Sequence, residues 1–162
     1  MTKGKGNRKV NNLLPHQVYL GLGSNLGDRE AAIHEAIQLI DERVGQVVRQ
    51  SSLVETEPWG FQSDHRFMNT VILCETTLTP REVLAATQQI ERGMGKQKQH
   101  ATRRSQISNS KLQISNYKDR PIDIDILLYD DLHIDEPDLK IPHPLMRERD
   151  FVMIPLREIA SP

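Results

Sequence analysis

The 162-residue chain has one cysteine, Cys74, and few aromatic residues: three Phe, three Tyr and one Trp. A single thiol excludes an internal disulfide, and a reducing compartment, the cytoplasm, is the simplest expectation. No stretch approaches the ~20 apolar residues of a membrane-spanning helix. The first residues, Met1 to Asn12, carry Lys3, Lys5, Arg8 and Lys9 and lack the apolar core of a secretory signal, so residues 1–15 read as a flexible basic tail. An excess of either charge is missing too: the formal net charge is −1. Whole-molecule charge therefore predicts neither a nucleic-acid nor a membrane partner. The six histidines show no paired zinc spacing and no second cysteine joins them, which argues against zinc.

What is present suits one soluble domain over residues 16–162, with 37% hydrophobic and 27% charged residues. Val18 to Gly23 reads as a strand ended by Gly23-Ser24-Asn25-Leu26-Gly27. Those glycines fit neither the Walker nor the Rossmann spacing, so a tight turn into a helix is the better account. Asp28 can cap a helix to about Arg43, because Ala32, Ile33, Ala36, Ile37, Ile40 and Val44 recur at three- and four-residue steps. Gln46 to Glu55 reads as one strand, broken at Thr56-Glu57-Pro58-Trp59-Gly60. In Phe67 to Thr77, Phe67, Asn69, Val71 and Leu73 alternate with Met68, Thr70, Ile72 and Cys74. Thr79-Pro80-Arg81-Glu82 is a capping-box helix start, and Gly93 and Gly95 are expected to end that helix. Ile122 to Tyr129 is the last strand. The order strand–helix–strand–strand–helix–strand predicts an α+β, ferredoxin-like split βαβ sandwich. Its mainly antiparallel sheet would carry helices on one face and the active site on the other. Between Gly95 and Arg120 the chain is long, basic and polar, with Gln-Ile-Ser-Asn at 106–109 and again at 113–116. It reads as a mobile insert at about 97–118, either a solvated loop or a cover for phosphates.

The segment Arg120-Pro-Ile-Asp-Ile-Asp-Ile-Leu-Leu128 is the most informative. Strand alternation sends Ile122, Ile124 and Ile126 to one face and Asp123 and Asp125 to the other. Two carboxylates about 6.6 Å apart repel by ~2.5 kcal/mol at an effective dielectric of ~20. A wet sheet face could tolerate this; a divalent cation would offset it. Magnesium commonly takes one or two carboxylates, with waters and substrate phosphates completing its shell. Trp59, in a Pro/Gly loop, could stack on a flat heterocycle or cap the core edge. Ile141-Pro-His-Pro-Leu-Met-Arg-Glu-Arg-Asp-Phe151 gathers an imidazole and two arginines, and could equally be a surface connection. Cys74 reads as plain core.

Taken in order, several segments resemble the 6-hydroxymethyl-7,8-dihydropterin pyrophosphokinase family. They are Val18-Tyr-Leu-Gly-Leu-Gly-Ser-Asn-Leu-Gly27, Thr56-Glu-Pro-Trp-Gly60, Phe67-Met-Asn69, Gln88-Gln-Ile-Glu91, Arg120-Pro-Ile-Asp-Ile-Asp-Ile-Leu127 and Ile141-Pro-His-Pro144. The resemblance implies transfer of pyrophosphate from ATP, the co-substrate, to the pterin hydroxymethyl oxygen, giving AMP, in folate synthesis. It implies that Asp123 and Asp125 hold two Mg2+ ions. It implies a pterin pocket of Thr56, Glu57, Trp59, Phe67, Asn69 and Phe151. ATP would meet Gln88, Glu91, Arg120, Ile126, His143, Arg147 and Arg149. Asn116-Tyr-Lys-Asp-Arg120 departs from the family's Trp-Gly-Pro-Arg, and Lys96 stands where an arginine is common. Arg103 or Arg104 could supply the missing bidentate grip on phosphate. A monomer acting on small molecules is expected; a non-catalytic nucleotide-binding module of the same fold is the alternative.

Overall fold

The computed structural model describes residues 14–56, 66–101 (backbone only from 96) and 121–160. Strand β1 (His16–Ser24) leads into helix α1 (Arg29–Arg43). Asp28 caps that helix as its sequence predicts, its carboxylate accepting from the Ala31 N–H at 3.1 Å. Gly45 then ends it where no other residue fits, since a Cβ there would lie 2.2 Å from the Glu75 carbonyl oxygen.

The expected single strand over 46–55 is two, β2 (Gln46–Gln50) and β3 (Val54–Thr56), paired in succession along the same edge of β4 (Phe67–Thr76). Ser51 causes the interruption. Its hydroxyl accepts from the Val71 N–H at 2.9 Å and bonds the Thr70 hydroxyl at 2.9 Å, taking the place of a ladder partner. Helix α2 (Pro80–Ala101) opens with the full capping box: Glu82 accepts from the Thr79 N–H at 2.9 Å, and Thr79 from the Glu82 N–H at 3.2 Å. It does not stop at Gly93 and Gly95. Each glycine costs ~1 kcal/mol against alanine, but Val83, Ile90 and Met94 are buried against the core, and this packing carries the helix onward. Residues 97–101, assigned to the insert from sequence, therefore have helical backbone.

Strand β5 (Asp123–Tyr129) completes an antiparallel sheet ordered β2–β4–β1–β5, the split βαβ arrangement. Helices α1 and α2 cover the face bearing Val18, Leu20, Ile72, Cys74, Ile122, Ile124 and Ile126. Burial holds the Cys74 thiol neutral, its pKa pushed up to about 12 with Asp41 and Glu75 assisting.

Past β5 the chain forms a small hairpin, β6 (Ile134–Glu136) and β7 (Leu139–Ile141), a short 3-10 turn (Met146–Glu148) and helix α3 (Asp150–Ala160). The last three add to the sequence reading. Helix α3 lies on the opposite face of the sheet, where Val152, Leu156 and Ile159 pack on Val71, Leu73 and Leu127. That face is thus shared between a helix and an open stretch. No helix among the described residues is long and apolar enough to cross a membrane.

Candidate active site

The open stretch is set by register. Across from Asp123 on β1 stands Gly23, and across from Asp125 stands Gly21. On the next strand Gly23 faces Asn69 and Gly21 faces Val71. The half-buried Asp123 and Asp125 thus share one face of β5, opposite the isoleucines, as the alternation predicts. Beside them is a floor without side chains. A Cβ on Gly23 would lie 2.8 Å from the Asn69 Oδ1 and 3.4 Å from the Phe67 Cδ1, so the far side of this floor is closely fitted.

That far side carries three of the residues assigned to the pterin. Asn69 donates from Nδ2 to the Thr56 hydroxyl at 2.9 Å. Thr56 pairs with Phe67 across β3 and β4. Asn69 is buried at its base, so its amide is fixed rather than free to rotate. Phe151, at the start of α3, is half-buried against the Val71 and Leu127 cluster. The Arg149 guanidinium lies 5.7 Å from its ring centroid, a cation–π distance.

On the other side of the aspartates, β5 is the edge of the sheet, and a groove of about 340 Å3 runs along it. Gln88 and Glu91 from α2, then Asp123, Asp125, Ile126 and His143, all expected from sequence, line this groove. Glu91 accepts from the Ile124 N–H at 2.7 Å, satisfying a ladder donor that an edge strand leaves open. The opposite wall is the β6–β7 hairpin with Asp138, Leu139 and Lys140, which sequence reasoning did not name. Arg81 binds this wall to α2 through Glu136 and Asp138. Alternation in Ile134-Asp-Glu-Pro-Asp-Leu-Lys-Ile141 around a Pro-Asp turn was the available signal.

His143 is held by its own backbone, which donates to the Leu127 carbonyl at 3.0 Å. Its Nδ1 accepts from the Leu145 N–H at 3.2 Å, so the neutral ring carries its proton on Nε2. Burial keeps the imidazole pKa below its ordinary value, the Arg149 cation adds to this, and Asp123 opposes it. Arg149 and Asp123 thus both lie within electrostatic reach of His143. Arg147 is exposed on the 3-10 turn. Glu57, Trp59, Arg103, Arg104 and Arg120 lie outside the described residues, as does the side chain of Lys96.

Two carboxylates are thus the acidic centre, and among the described residues no set of three or more His, Cys, Asp or Glu side chains could jointly hold an ion. That donor set suits magnesium, which completes its shell with water and phosphate oxygens; it does not suit a structural zinc.

A family model described as 7,8-dihydro-6-hydroxymethylpterin-pyrophosphokinase (HPPK) matches residues 19–161. The chain is 45% identical over 144 residues to a 2-amino-4-hydroxy-6-hydroxymethyldihydropteridine pyrophosphokinase of Porphyromonas gingivalis, covering 88% of this chain and 90% of that one. A protein of the same name from Aquifex aeolicus is 37% identical over 142 residues, covering 88% and 79%. Among solved structures, wild-type Plasmodium falciparum HPPK-DHPS with SDX-DHP superposes with a TM-score of 0.60 at 15% identity. That match covers 89% of this chain but 40% of the larger one, and at such identity it speaks for the fold alone. With the family model matching most of the chain, the relatives matched over most of their length and the fold in agreement, the chain belongs to the 7,8-dihydro-6-hydroxymethylpterin pyrophosphokinase family.

Proposed function

We propose that this pyrophosphokinase moves the terminal pyrophosphoryl group of ATP to the hydroxymethyl oxygen of 6-hydroxymethyl-7,8-dihydropterin, with Asp123 and Asp125 as protein ligands of two magnesium ions. The observation that carries this reading is the row Asp123–Gly23–Asn69 across three strands, which puts a carboxylate and a fixed amide on either side of a bare glycine. The groove along β5 would take the nucleotide, and the Asn69 side the pterin.

In the reaction the hydroxymethyl oxygen attacks the β-phosphorus. A new O–P bond forms as the bond from that phosphorus to the oxygen shared with the α-phosphate breaks. AMP leaves with that oxygen, and the hydroxyl proton passes to water. Bound at the two aspartates, magnesium would neutralise the phosphate charge and favour attack. The chain itself positions the partners. Thr56 and Asn69 offer polar edges to the pterin, with Phe67 and Phe151 as its walls and Glu57 and Trp59 assigned to the same pocket. Gln88, Glu91 and the Ile126 backbone line the nucleotide groove. His143 can donate from Nε2 to a phosphate oxygen; Arg147, Arg149, Arg120, Lys96, Arg103 and Arg104 supply positive charge. Bringing reacting atoms within ~3–3.5 Å in line is worth several orders of magnitude in rate. Both substrates are small and diffusible, and the reading needs neither a membrane nor a second copy of the chain.

Mixing protein, ATP, magnesium and the reduced pterin should release AMP in a pterin-dependent way. Release of ADP, or no dependence on the pterin, would refute the assignment. Asp123→Ala and Asp125→Ala should each lose magnesium-dependent turnover while keeping the wild-type circular dichroism spectrum.

A further inference from the structure

Arg29 is the first residue of α1 and reaches both the end of β3, before Thr56, and the start of β4, before Phe67. Its Nη1 lies 2.8 Å from the Glu55 carboxylate and donates at 2.8 Å to the Arg66 carbonyl. Glu55 immediately precedes Thr56, and Arg66 immediately precedes Phe67. Alternation turns Thr56 and Asn69 toward the site, whereas Glu55 pairs with Met68, which packs on the helix side of the sheet. The guanidinium therefore grips from behind the two segments that present Thr56 and Phe67 in front. A cation in the first turn of a helix opposes the helix dipole. The local sequence preference thus runs against arginine here, and the two contacts account for its presence.

We propose that Arg29 is a positioning residue for the pterin site, joining the ends of β3 and β4 so that Thr56, Asn69 and Phe67 hold one geometry. This rests on the assignment of the pterin to that side of the floor. Exposed ion pairs contribute little to stability, so the effect belongs in geometry: a displacement of ~1 Å in a binding site can cost as much as 100-fold in rate.

Steady-state kinetics of Arg29→Ala with ATP and the dihydropterin tests this. The pterin KM should rise about tenfold, a change of ~1.4 kcal/mol, while the ATP KM stays within twofold and the melting temperature within a few degrees. Glu55→Gln, which leaves the carbonyl contact in place, should show the same split at smaller amplitude. If both KM values rise together, or neither moves, while the wild-type enzyme turns over, the inference is overturned. Should the wild-type protein make no pterin-dependent AMP, the functional reading fails instead. Hydrogen exchange then tests the strut: the Thr56 and Phe67 amides exchange faster in Arg29→Ala if Arg29 joins these strand ends, and at the wild-type rate if it does not.

Discussion

Gly23 offers the sharpest test of the site geometry, because one methyl group separates two outcomes. In Gly23→Ala the new Cβ would lie 2.8 Å from the Asn69 Oδ1, closer than real contacts allow. Asn69 must turn away and give up its bond to the Thr56 hydroxyl. A neutral hydrogen bond contributes ~1 kcal/mol and overpacking costs ~1–3 kcal/mol, while losing a strand glycine returns ~0.5–1 kcal/mol. The net is a destabilisation of about 1–3.5 kcal/mol, or several degrees in Tm for a domain this size. The larger effect falls on the pterin: one misplaced polar partner should lower kcat/KM for it about tenfold, at ~1.4 kcal/mol per decade. Gly21→Ala is the matched control. Its Cβ would come nearest to the Leu127 side chain, at 3.4 Å, an approach that flexible methyl groups can accommodate. Stability should hold or rise slightly, and the pterin KM should stay within about twofold, since the Asn69–Thr56 pair is untouched. Thermal melts and pterin titrations of the two variants decide the matter. Equal effects at both glycines, or a Gly23→Ala enzyme with an unchanged pterin KM, would refute the reasoning.

Three further outcomes are expected. The lowered pKa of His143 means that the unfolded chain takes up its proton first as pH falls below 6.5. Stability should therefore drop from that pH downward and level off once the folded imidazole is also protonated, with no contribution at higher pH where the ring is neutral in both states. His143→Gln should flatten that part of a Tm-against-pH curve. Thr79→Ala removes half of the α2 capping box and should cost ~1 kcal/mol by urea denaturation; an unchanged midpoint would show that α2 does not depend on its cap. Arg81→Ala should release the hairpin wall of the groove, raising the ATP KM several-fold and leaving the pterin KM alone, with little change in stability because the pair is exposed.

The sequence carries the fold order plainly where local chemistry and packing agree. Asp28 and the Thr79/Glu82 box mark two helix starts, and alternation from Phe67 to Thr76 predicts which side chains meet the helices. Asp123 and Asp125 are legible for the same reason, because period-two patterning needs no partner strand to be read. What register decides is not legible. That Gly23 and Gly21 stand beside the two aspartates depends on how β1 pairs with β5, and that ladder contains a bulge near Leu127 that no local pattern announces. The bulge also shifts the alternation, so that Leu127 and Leu128 both meet the α3 core while Tyr129 turns back to the core under α1 and α2. Helix α3 was readable in principle, since Val152, Pro155, Leu156 and Ile159 follow helical spacing. Pro155 within it makes the segment resemble a broken connection instead.

The placement of the site follows from how β5 ends the sheet. An edge strand presents unpaired N–H and C=O groups, normally a liability that proteins cover. Here Glu91 takes one of these donors, and the β6–β7 hairpin, fastened by Arg81, stands across a groove rather than sealing the edge. A flat ligand with hydrogen-bonding edges can therefore use backbone groups that a central strand would have spent on its neighbour. On the proposed function, the same strand would turn Asp123 and Asp125 toward a second ligand, the pterin, two strands away. With strands ~4.8 Å apart, Asp123 and Asn69 are separated by about 10 Å. A phosphoryl group flanked by hydrated cations and a reacting hydroxyl needs a gap of that order, and a side chain at position 23 would fill it. On that reading, glycine in the central strand is as much a part of the site as the carboxylates beside it.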